Sequence, residues 1–366
     1  MNNLTKEQEN HAKAALKTLF VGDSLAMPAH WFYSVYDIEK TFAGGITQLT
    51  AAPKTHPSSI MSLHSTQAGG RRFASKKTPP KEIVGEVILK GKREFWGQSN
   101  QHYHQGMQAG ENTLNAHCAR VLMRHLITHA GVYQAEAFLA DYIDFMTAYP
   151  PQHPDTYAES YHRGFFANLE KGLPPQKCAA STHDTASIGG LVTLAPLFFA
   201  SRWRGLSLSQ VQEICQQHLY LTHPDSFLAK VAAIYVQLLD ELWRRSDNAS
   251  CAEIIARAGK QSGIDLPALL EKGRDDRVVI GQLFSPACYI TDSWPSVLYL
   301  AYKYIHDPKQ ALLANTNLGG DNVHRGAVLG TILGLIDDSS IEPWFRQLKE
   351  HKALKHQINQ LIDSST

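Results

Sequence analysis

The residues with the clearest potential for chemistry lie near the C-terminus, where 317–330 reads NLGGDNVHRGAVLG. Two glycines lead directly into an acid, an amide, an imidazole and a guanidinium group: Asp321, Asn322, His324 and Arg325. If a helix begins here, the free N–H groups of its first turn and its macrodipole favour a bound anion. The stretch therefore suits a phosphate or a metal site. The alternative is that Asp321 simply caps an ordinary core helix.

The helix that follows these polar groups is expected to be buried. Gly326, Gly330 and Gly334 stand four residues apart within an apolar run of small residues. Residues at that spacing share one helix face, and glycines on that face let a neighbouring helix approach closely. We therefore expect the polar groups on the first turn of a packed, buried helix.

Three other segments carry polar groups where a helix is predicted to begin. The first is 22–31, GDSLAMPAHW, which contains His30. The second is 110–113, GENT, which follows His104 by a few residues. The third is 181–185, STHDT. We expect these segments to converge on one pocket with the C-terminal motif.

Helical periodicity dominates the chain. Thr5 and Gln8 form a capping-box pattern ahead of the apolar stripe of the first helix. Further apolar stripes predict helices at 113–126, 135–148, 186–200, 209–221, 226–243, 295–305, 309–315, 323–335, 343–349 and 353–362. Together these elements predict an all-α fold built by helix-on-helix packing.

One segment interrupts the helical pattern. Residues 43–110 are rich in Gly, Pro, Ser, Thr and His and are too long for a structureless connection in a compact domain. We expect an excursion that folds over the helical body and covers a site, with a short strand or hairpin arm at 81–90. A partly mobile insertion is the alternative. No linker divides the chain, so the prediction is a single domain over 1–366.

Composition excludes several classes of protein. The 366 residues are 43% hydrophobic and carry a net charge of +1, which gives no reason to expect nucleic acid or an anionic membrane as a partner. Residues 1–10 lack the apolar core of a signal peptide, and no run approaches the roughly 20 apolar residues that span a bilayer. The five cysteines are widely spaced and form no CxxC pair. The expected location is the cytoplasm.

Five motifs occur in a characteristic order. They are a Gly-Asp-x-x-x-x-Pro stretch at 22–28, the tetrapeptide at 110–113, a Gly-rich helix ending in Ala195-Pro196-Leu197, a Thr222-His223-Pro224 turn, and Asn317-Leu318-Gly319-Gly320-Asp321. In order and spacing the chain resembles the ADP-ribosylglycohydrolase family over about residues 12–345. The resemblance implies an orthogonal all-α bundle, two bound magnesium ions, and cleavage of the glycosidic bond between ADP-ribose and an acceptor.

The chain departs from the family pattern where the resemblance places metal ligands. His30 replaces a glutamate, 110–113 replaces Thr-Asp-Asp-Thr, and His324 falls in a motif that reads Asp-Thr-Asp-Thr in the family. Only Glu111 and Asp321 remain of the five carboxylates that the family pattern offers. Two carboxylates match the charge of one divalent cation. Imidazole ligands suit Zn²⁺ or Mn²⁺ better than the Mg²⁺ implied by the resemblance.

These matches assign a role to each candidate residue. Glu111 is expected to act as general base or principal ligand, and Asp321 to anchor the metal or the ribose hydroxyls. Substrate contacts are expected from Asn112, Asn322, Arg325, His104, Gly319 and Gly320. A metal would be held by Glu111, Asn112, Asp321, His324 and His30. Alternatively no metal is needed, because Arg325 and a protonated His324 could grip a diphosphate directly.

The expected function is hydrolysis of a glycosidic bond of ADP-ribose or a related ribosyl compound, with at most one divalent metal. The expected partner is a small-molecule or ADP-ribosylated substrate. Two alternatives follow from the missing carboxylates: a non-catalytic relative that binds a ligand or serves as a structural subunit, and a hydrolase for another glycoside or nucleoside.

Overall fold

The computed structural model describes residues 5–59, 61, 82–245, 251–337 and 339–365. These residues form sixteen α-helices: α1 (Lys6–Ala26), α2 (Val35–Thr41), α3 (Leu114–Thr128), α4 (Ala135–Thr147), α5 (Ser160–Glu170), α6 (Leu194–Trp203), α7 (Leu208–Tyr220), α8 (Ser226–Trp243), α9 (Cys251–Gln261), α10 (Leu266–Glu271), α11 (Asp276–Val279), α12 (Ile290–Lys303), α13 (Pro308–Leu318), α14 (Asn322–Ile336), α15 (Glu342–Phe345) and α16 (His351–Ser365). The predicted all-α class is confirmed, because the described residues form isolated bridges but no strand.

Local chemistry sets where many of these helices begin. The predicted capping box is present at α1, where Thr5 and Gln8 satisfy each other's backbone N–H groups. Ser207 and Gln210 do the same at α7. An Asp side chain caps α8, α10 and α13, and α13 also has proline in its first turn, where no N–H is required. These local signals explain why the predicted and observed starts of α7, α8 and α13 agree to within about one residue, whereas α6 begins at Leu194 rather than 186 and α12 at Ile290 rather than 295.

The centre of the fold is the contact between α1 and α14. Every residue of α14 from Asn322 to Leu335 is buried, as expected of a helix that is apolar on all sides. A Cβ atom built at Gly330 would lie 2.3 Å from the Thr18 carbonyl oxygen, and one at Gly334 would lie 2.5 Å from that of Ala14. The predicted glycine face therefore allows backbone-to-backbone packing. It places the first turn of α14 beside the last turns of α1.

The excursion differs from its prediction in one respect. No strand forms in the described part of 81–90; residues Ile83–Val87 make one wide helical turn instead. Gly85, at φ +98°, reverses the chain so that Ile88 N donates to Ile83 O. Positive φ is open to glycine and breaks the extended conformation that a strand needs. The apolar residues at 83–88 are nevertheless buried, which accounts for the strand-like pattern.

The described part of the excursion lies against the segment after α1. Its two arms meet at the bridge between Thr55 and Gln101. His56 contacts the backbone carbonyl of His30, and His102 contacts that of Pro28. Within the described ranges, no helix combines the length and the apolar character that a membrane crossing requires.

Candidate functional site

A continuous chain of buried acids and imidazoles joins four parts of the molecule. Its members, in order of contact, are Asp155, His104, His30, Asp321, His324 and Glu159. We call this set the acid–imidazole chain. All six side chains are buried, so each depends on its neighbours rather than on water for hydrogen bonds. Such a cluster holds protons or a cation, since unpaired charge is costly in the interior.

Four local structures carry the six members. His30 follows the 3-10 turn Met27–Ala29 after α1, and His104 comes from the excursion. Asp321 and His324 flank the first turn of α14. Asp155 and Glu159 precede α5. The cluster therefore exists only when these elements are packed.

A glycine turn brings Asp321 to His30. Gly319 and Gly320 both have positive φ, at +66° and +65°. A Cβ atom would lie 2.1 Å from Phe32 O at the first glycine and 1.9 Å from Pro286 O at the second. Gly320 also exchanges hydrogen bonds with the backbone at 31–32, donating to Phe32 O at 2.6 Å and accepting from Trp31 N at 2.8 Å. Only glycine fits both positions.

Asp321 lies between two imidazoles. Its Oδ1 atom is 3.2 Å from His30 Nε2 and 2.9 Å from His324 Nδ1. Asp321 occupies the N-cap position of α14, but its side chain makes no capping hydrogen bond. Its second oxygen, Oδ2, is buried without a partner. The carboxylate therefore faces the cluster rather than serving the helix end.

The far side of His324 meets α3 and the segment before α5. Its Nε2 atom is 3.2 Å from Glu159 Oε1 and 2.6 Å from the Asn115 amide. Glu159 Oε2 is also buried without a hydrogen bond, although His162 Nε2 lies 3.7 Å away. Two of the cluster's carboxylates thus each have one oxygen without a hydrogen bond, which is unusual for buried polar atoms.

Burial and neighbouring charges shift the pKa values of the two histidines beside Asp321 in opposite directions. Burial lowers the pKa of His30 to about 3, although the hydrogen bond to Asp321 opposes the shift. Burial also disfavours charge on His324, but the Asp321 carboxylate outweighs it and raises the pKa of His324 well above its usual value. For Asp321, burial is likewise outweighed, chiefly by the His324 charge, so the pKa of the carboxyl lies below its usual range. The central element is a buried carboxylate–imidazolium pair.

Comparison with known proteins identifies the family to which the chain belongs. The model of the family described as ADP-ribosylglycohydrolase matches residues 4–366. The chain belongs to the ADP-ribosylglycohydrolase family. A solved structure entitled "ADP-ribosylglycohydrolase-related protein complex" is similar in fold, with a TM-score of 0.58 and 17% identity, covering 99% of this chain and 100% of that one. No curated protein matches the sequence.

Two candidates from the tetrapeptide at 110–113 lie outside the acid–imidazole chain. Glu111 accepts a hydrogen bond from Gln108 N and lines a surface pocket of ≈ 530 Å³ with His117 and Lys349. The amide of Asn112 donates to Asp23, 2.8 Å away, and to the backbone. A different residue from the start of α3 contacts the acid–imidazole chain.

That residue is Asn115, which sequence reasoning missed. It lies one helical turn after Asn112. The side chain from this helix that contacts His324 therefore comes after the tetrapeptide at 110–113, not from within it. Asp155 and Glu159 were missed as well. The only available signal was two acids four residues apart ahead of a helix, a pattern that also marks an ordinary helix start.

The remaining candidates shape the turn before α14. Asn322 donates to Thr316 O, and its Oδ1 atom is buried without a partner. Arg325 is fully buried, and its guanidinium donates to Asn315 Oδ1 at 2.7 Å and to Gly319 O at 2.8 Å. These contacts tie α14 to the end of α13. The described contacts of Arg325 are structural, and they leave its predicted phosphate role without support.

We expect Arg325→Lys to lower the free energy of unfolding by about 2 kcal/mol, because an ammonium cannot reproduce the fork of hydrogen bonds and leaves buried acceptors unpaired. Urea unfolding at pH 7 measures the change. Arg346→Lys is the matched control, since Arg346 is exposed and bonds Glu342. Equal stability of the Arg325 variant and the wild type would contradict the structural role.

The donor set can be tested for its fit to a metal ion. His30, Asp321 and His324 offer ligand atoms that all lie within 4.8 Å of one another. Two imidazoles and a carboxylate suit a first-row transition metal, and the unpartnered Asp321 Oδ2 adds an oxygen in need of a cation. The residues therefore fit one divalent ion, provided that it displaces the proton held by His324.

Proposed function

We propose that the chain hydrolyses a glycosidic bond of ADP-ribose or a related ribosyl compound at a site centred on the acid–imidazole chain. Membership of the ADP-ribosylglycohydrolase family supports the reaction class. The observation that carries the proposal is Asp321, whose buried carboxylate lies between two imidazoles and keeps one oxygen unpartnered. The substrate is a small molecule or an ADP-ribosylated acceptor, and the predicted location remains the cytoplasm.

In this proposal His30, Asp321 and His324 hold at most one divalent ion. When bound, such an ion would polarise ribose hydroxyls and lower the pKa of a water molecule. Zn²⁺ or Mn²⁺ matches the imidazole donors better than the Mg²⁺ of the family resemblance. Asp321 orients the ligand. The Oδ1 atom of the next residue, Asn322, has no hydrogen-bond partner and can accept from a ribose hydroxyl.

Glu159 is our candidate for the general base. It contacts His324 through Oε1. Its Oε2 atom makes no hydrogen bond and lies 3.7 Å from His162 Nε2, so Oε2 can take a proton from the attacking water as positive charge develops at the anomeric carbon. Glu111 is the alternative base, and its place in the surface pocket separates the two candidates experimentally. Glu159 is buried, so a mechanism through Glu159 requires a movement that opens the cluster to substrate, whereas Glu111 already lines an open pocket.

A turnover assay on ADP-ribosylated arginine and serine peptides tests the proposal. We expect Asp321→Asn and Glu159→Gln each to lower kcat/KM by at least about 100-fold, the range typical of a lost acid–base group. Glu111→Gln is the matched control and should leave the rate unchanged. A loss confined to Glu111→Gln would return the catalytic role to the surface pocket.

A non-catalytic relative is the second candidate. Complete burial of the cluster and its internal hydrogen bonds favour this reading, because a buried, internally bonded cluster presents few groups to a ligand. Calorimetric binding of ADP-ribose by the wild type, without turnover of either peptide, would support it. Metal analysis of protein purified without chelator completes the test, since two bound magnesium ions would contradict a single-ion site.

A further inference from the structure

We infer that Asp155 and His104 are positioning residues that hold the His30 imidazole with its Nε2 atom directed at Asp321, ready for a divalent cation. The inference rests on the metal site of the proposed function and assigns a role to residues beyond the ligands. His104 was expected to contact substrate. Its observed contacts place it behind His30 instead.

The geometry forms a line of three groups. His104 Nδ1 lies 2.7 Å from Asp155 Oδ1, and His104 Nε2 lies 2.6 Å from His30 Nδ1. The planes of the two imidazole rings are parallel to within 5°, with centres 5.0 Å apart. Because a ring nitrogen bonds in the plane of its ring, this arrangement suits an in-plane hydrogen bond between the two histidines.

Asp155 is itself held rigidly. Its Oδ2 atom accepts from Leu114 N at 2.7 Å, in the first turn of α3, and its Oδ1 atom also accepts from Tyr157 N at 3.1 Å. A carboxylate at a helix N-terminus is stabilised in its ionised form. It therefore accepts from His104 Nδ1–H and fixes the tautomer of that ring.

The hydrogen positions then point to a cation. If the only hydrogen of the His104 ring is on Nδ1, its Nε2 lone pair accepts the Nδ1–H of His30. His30 Nε2 then turns a lone pair towards Asp321 Oδ1, 3.2 Å away, in place of the hydrogen bond that an Nε2–H group would donate there. Two acceptors facing each other repel unless a proton or a metal ion lies between them. A carboxylate behind a ligating histidine is the usual arrangement in metal sites, here extended by one imidazole.

Metal affinity, measured by competition with a chromophoric chelator, tests the inference with Zn²⁺ and Co²⁺ as probes. We expect Asp155→Asn and His104→Gln to weaken binding about 10- to 100-fold and to change the Co²⁺ visible spectrum. Asp141→Asn is the matched control, because Asp141 bonds His125 Nδ1 at 2.9 Å outside the cluster. It should bind both ions like the wild type. Circular dichroism at each step confirms that the variants are folded.

A double-mutant cycle separates positioning from a general structural effect. Because Asp155 acts through His30, Asp155→Asn should cause no further loss of affinity in a His30→Gln background. An undiminished loss in that background would overturn the inference, as would wild-type affinity in Asp155→Asn. In the latter case the metal site itself stands. A wild-type protein that binds neither ion would overturn both the positioning role and the metal site.

Discussion

We expect the protein to lose most of its stability between pH 7 and pH 5, far above the range in which carboxylates titrate. The cause is a group of histidines buried in the neutral state. Burial lowers the pKa of His117, His218 and His223 to about 3 and that of His153 to about 4. Their unfolded pKa is near 6.5. On acidification the unfolded chain therefore takes up protons that the folded protein excludes.

The sign and size of this pH effect follow from the linkage between proton binding and folding. A depressed histidine pKa means that the unfolded state binds more protons in the window between the two values, so stability falls as pH falls through it. From pH 7 to pH 5 each such histidine removes about 2 kcal/mol. His218 and His223 together remove about 4 kcal/mol from the free energy of unfolding. His117 and His153, which line the surface pocket, add to this loss. The raised pKa of His324 opposes the trend, since it stabilises the folded state more at low pH. The net loss is comparable with the whole stability of a typical domain.

Urea unfolding at pH 7, 6 and 5 measures this dependence. His218→Gln is the informative variant, because His218 bonds Tyr133 and Thr193, which a neutral amide can also satisfy. We expect the variant to lose about 2 kcal/mol less than the wild type over the same range. Unfolding midpoints that do not move between pH 7 and pH 5 would show that these histidines become protonated in the folded protein as readily as in the unfolded chain.

We expect Gly330→Ala to destabilise the protein by about 3 kcal/mol, although helix propensity predicts the opposite sign. Alanine in place of glycine stabilises a helix interior by about 1 kcal/mol. Here the new Cβ atom would lie 2.3 Å from Thr18 O, which is backbone and cannot rotate away. Helices α1 and α14 must therefore separate, and overpacking of this kind costs up to a few kcal/mol.

The control for this variant is Gly172→Ala. Gly172 has φ +86° and no atom within 4 Å of a Cβ, so alanine there should cost only about 1 kcal/mol of backbone strain. Thermal and urea unfolding of both variants give the comparison. Stabilisation by Gly330→Ala would mean that the two helices are not in backbone contact.

Part of the molecule follows from local sequence alone. Capping residues such as Thr5 and Ser207 and apolar stripes of period 3.6 predict where helices lie, because these interactions join residues three or four apart. The glycines of α14 predict close packing for the same local reason. Pattern reasoning failed at 81–90, where the apolar residues Ile83, Val84 and 87–89 are buried without sheet pairing and so imitated a strand. It also left α2, α5 and α9 to α11 unpredicted.

The residues that meet at the site depend on tertiary packing as well as on local sequence. Sequence by itself determined that His30, Asp321 and His324 lie near helix ends. Glycines at 319–320, which can adopt positive φ, precede Asp321 and His324, and Pro28, which restricts φ, precedes His30. Tertiary structure alone decided that Asn115 and Glu159 meet His324, while Glu111 faces a surface pocket and Arg325 binds the turn at Gly319. Contacts between residues tens or hundreds of positions apart depend on how whole helices pack. Rotating one helix by about 100°, the angle between successive residues, changes the side chain that faces inward.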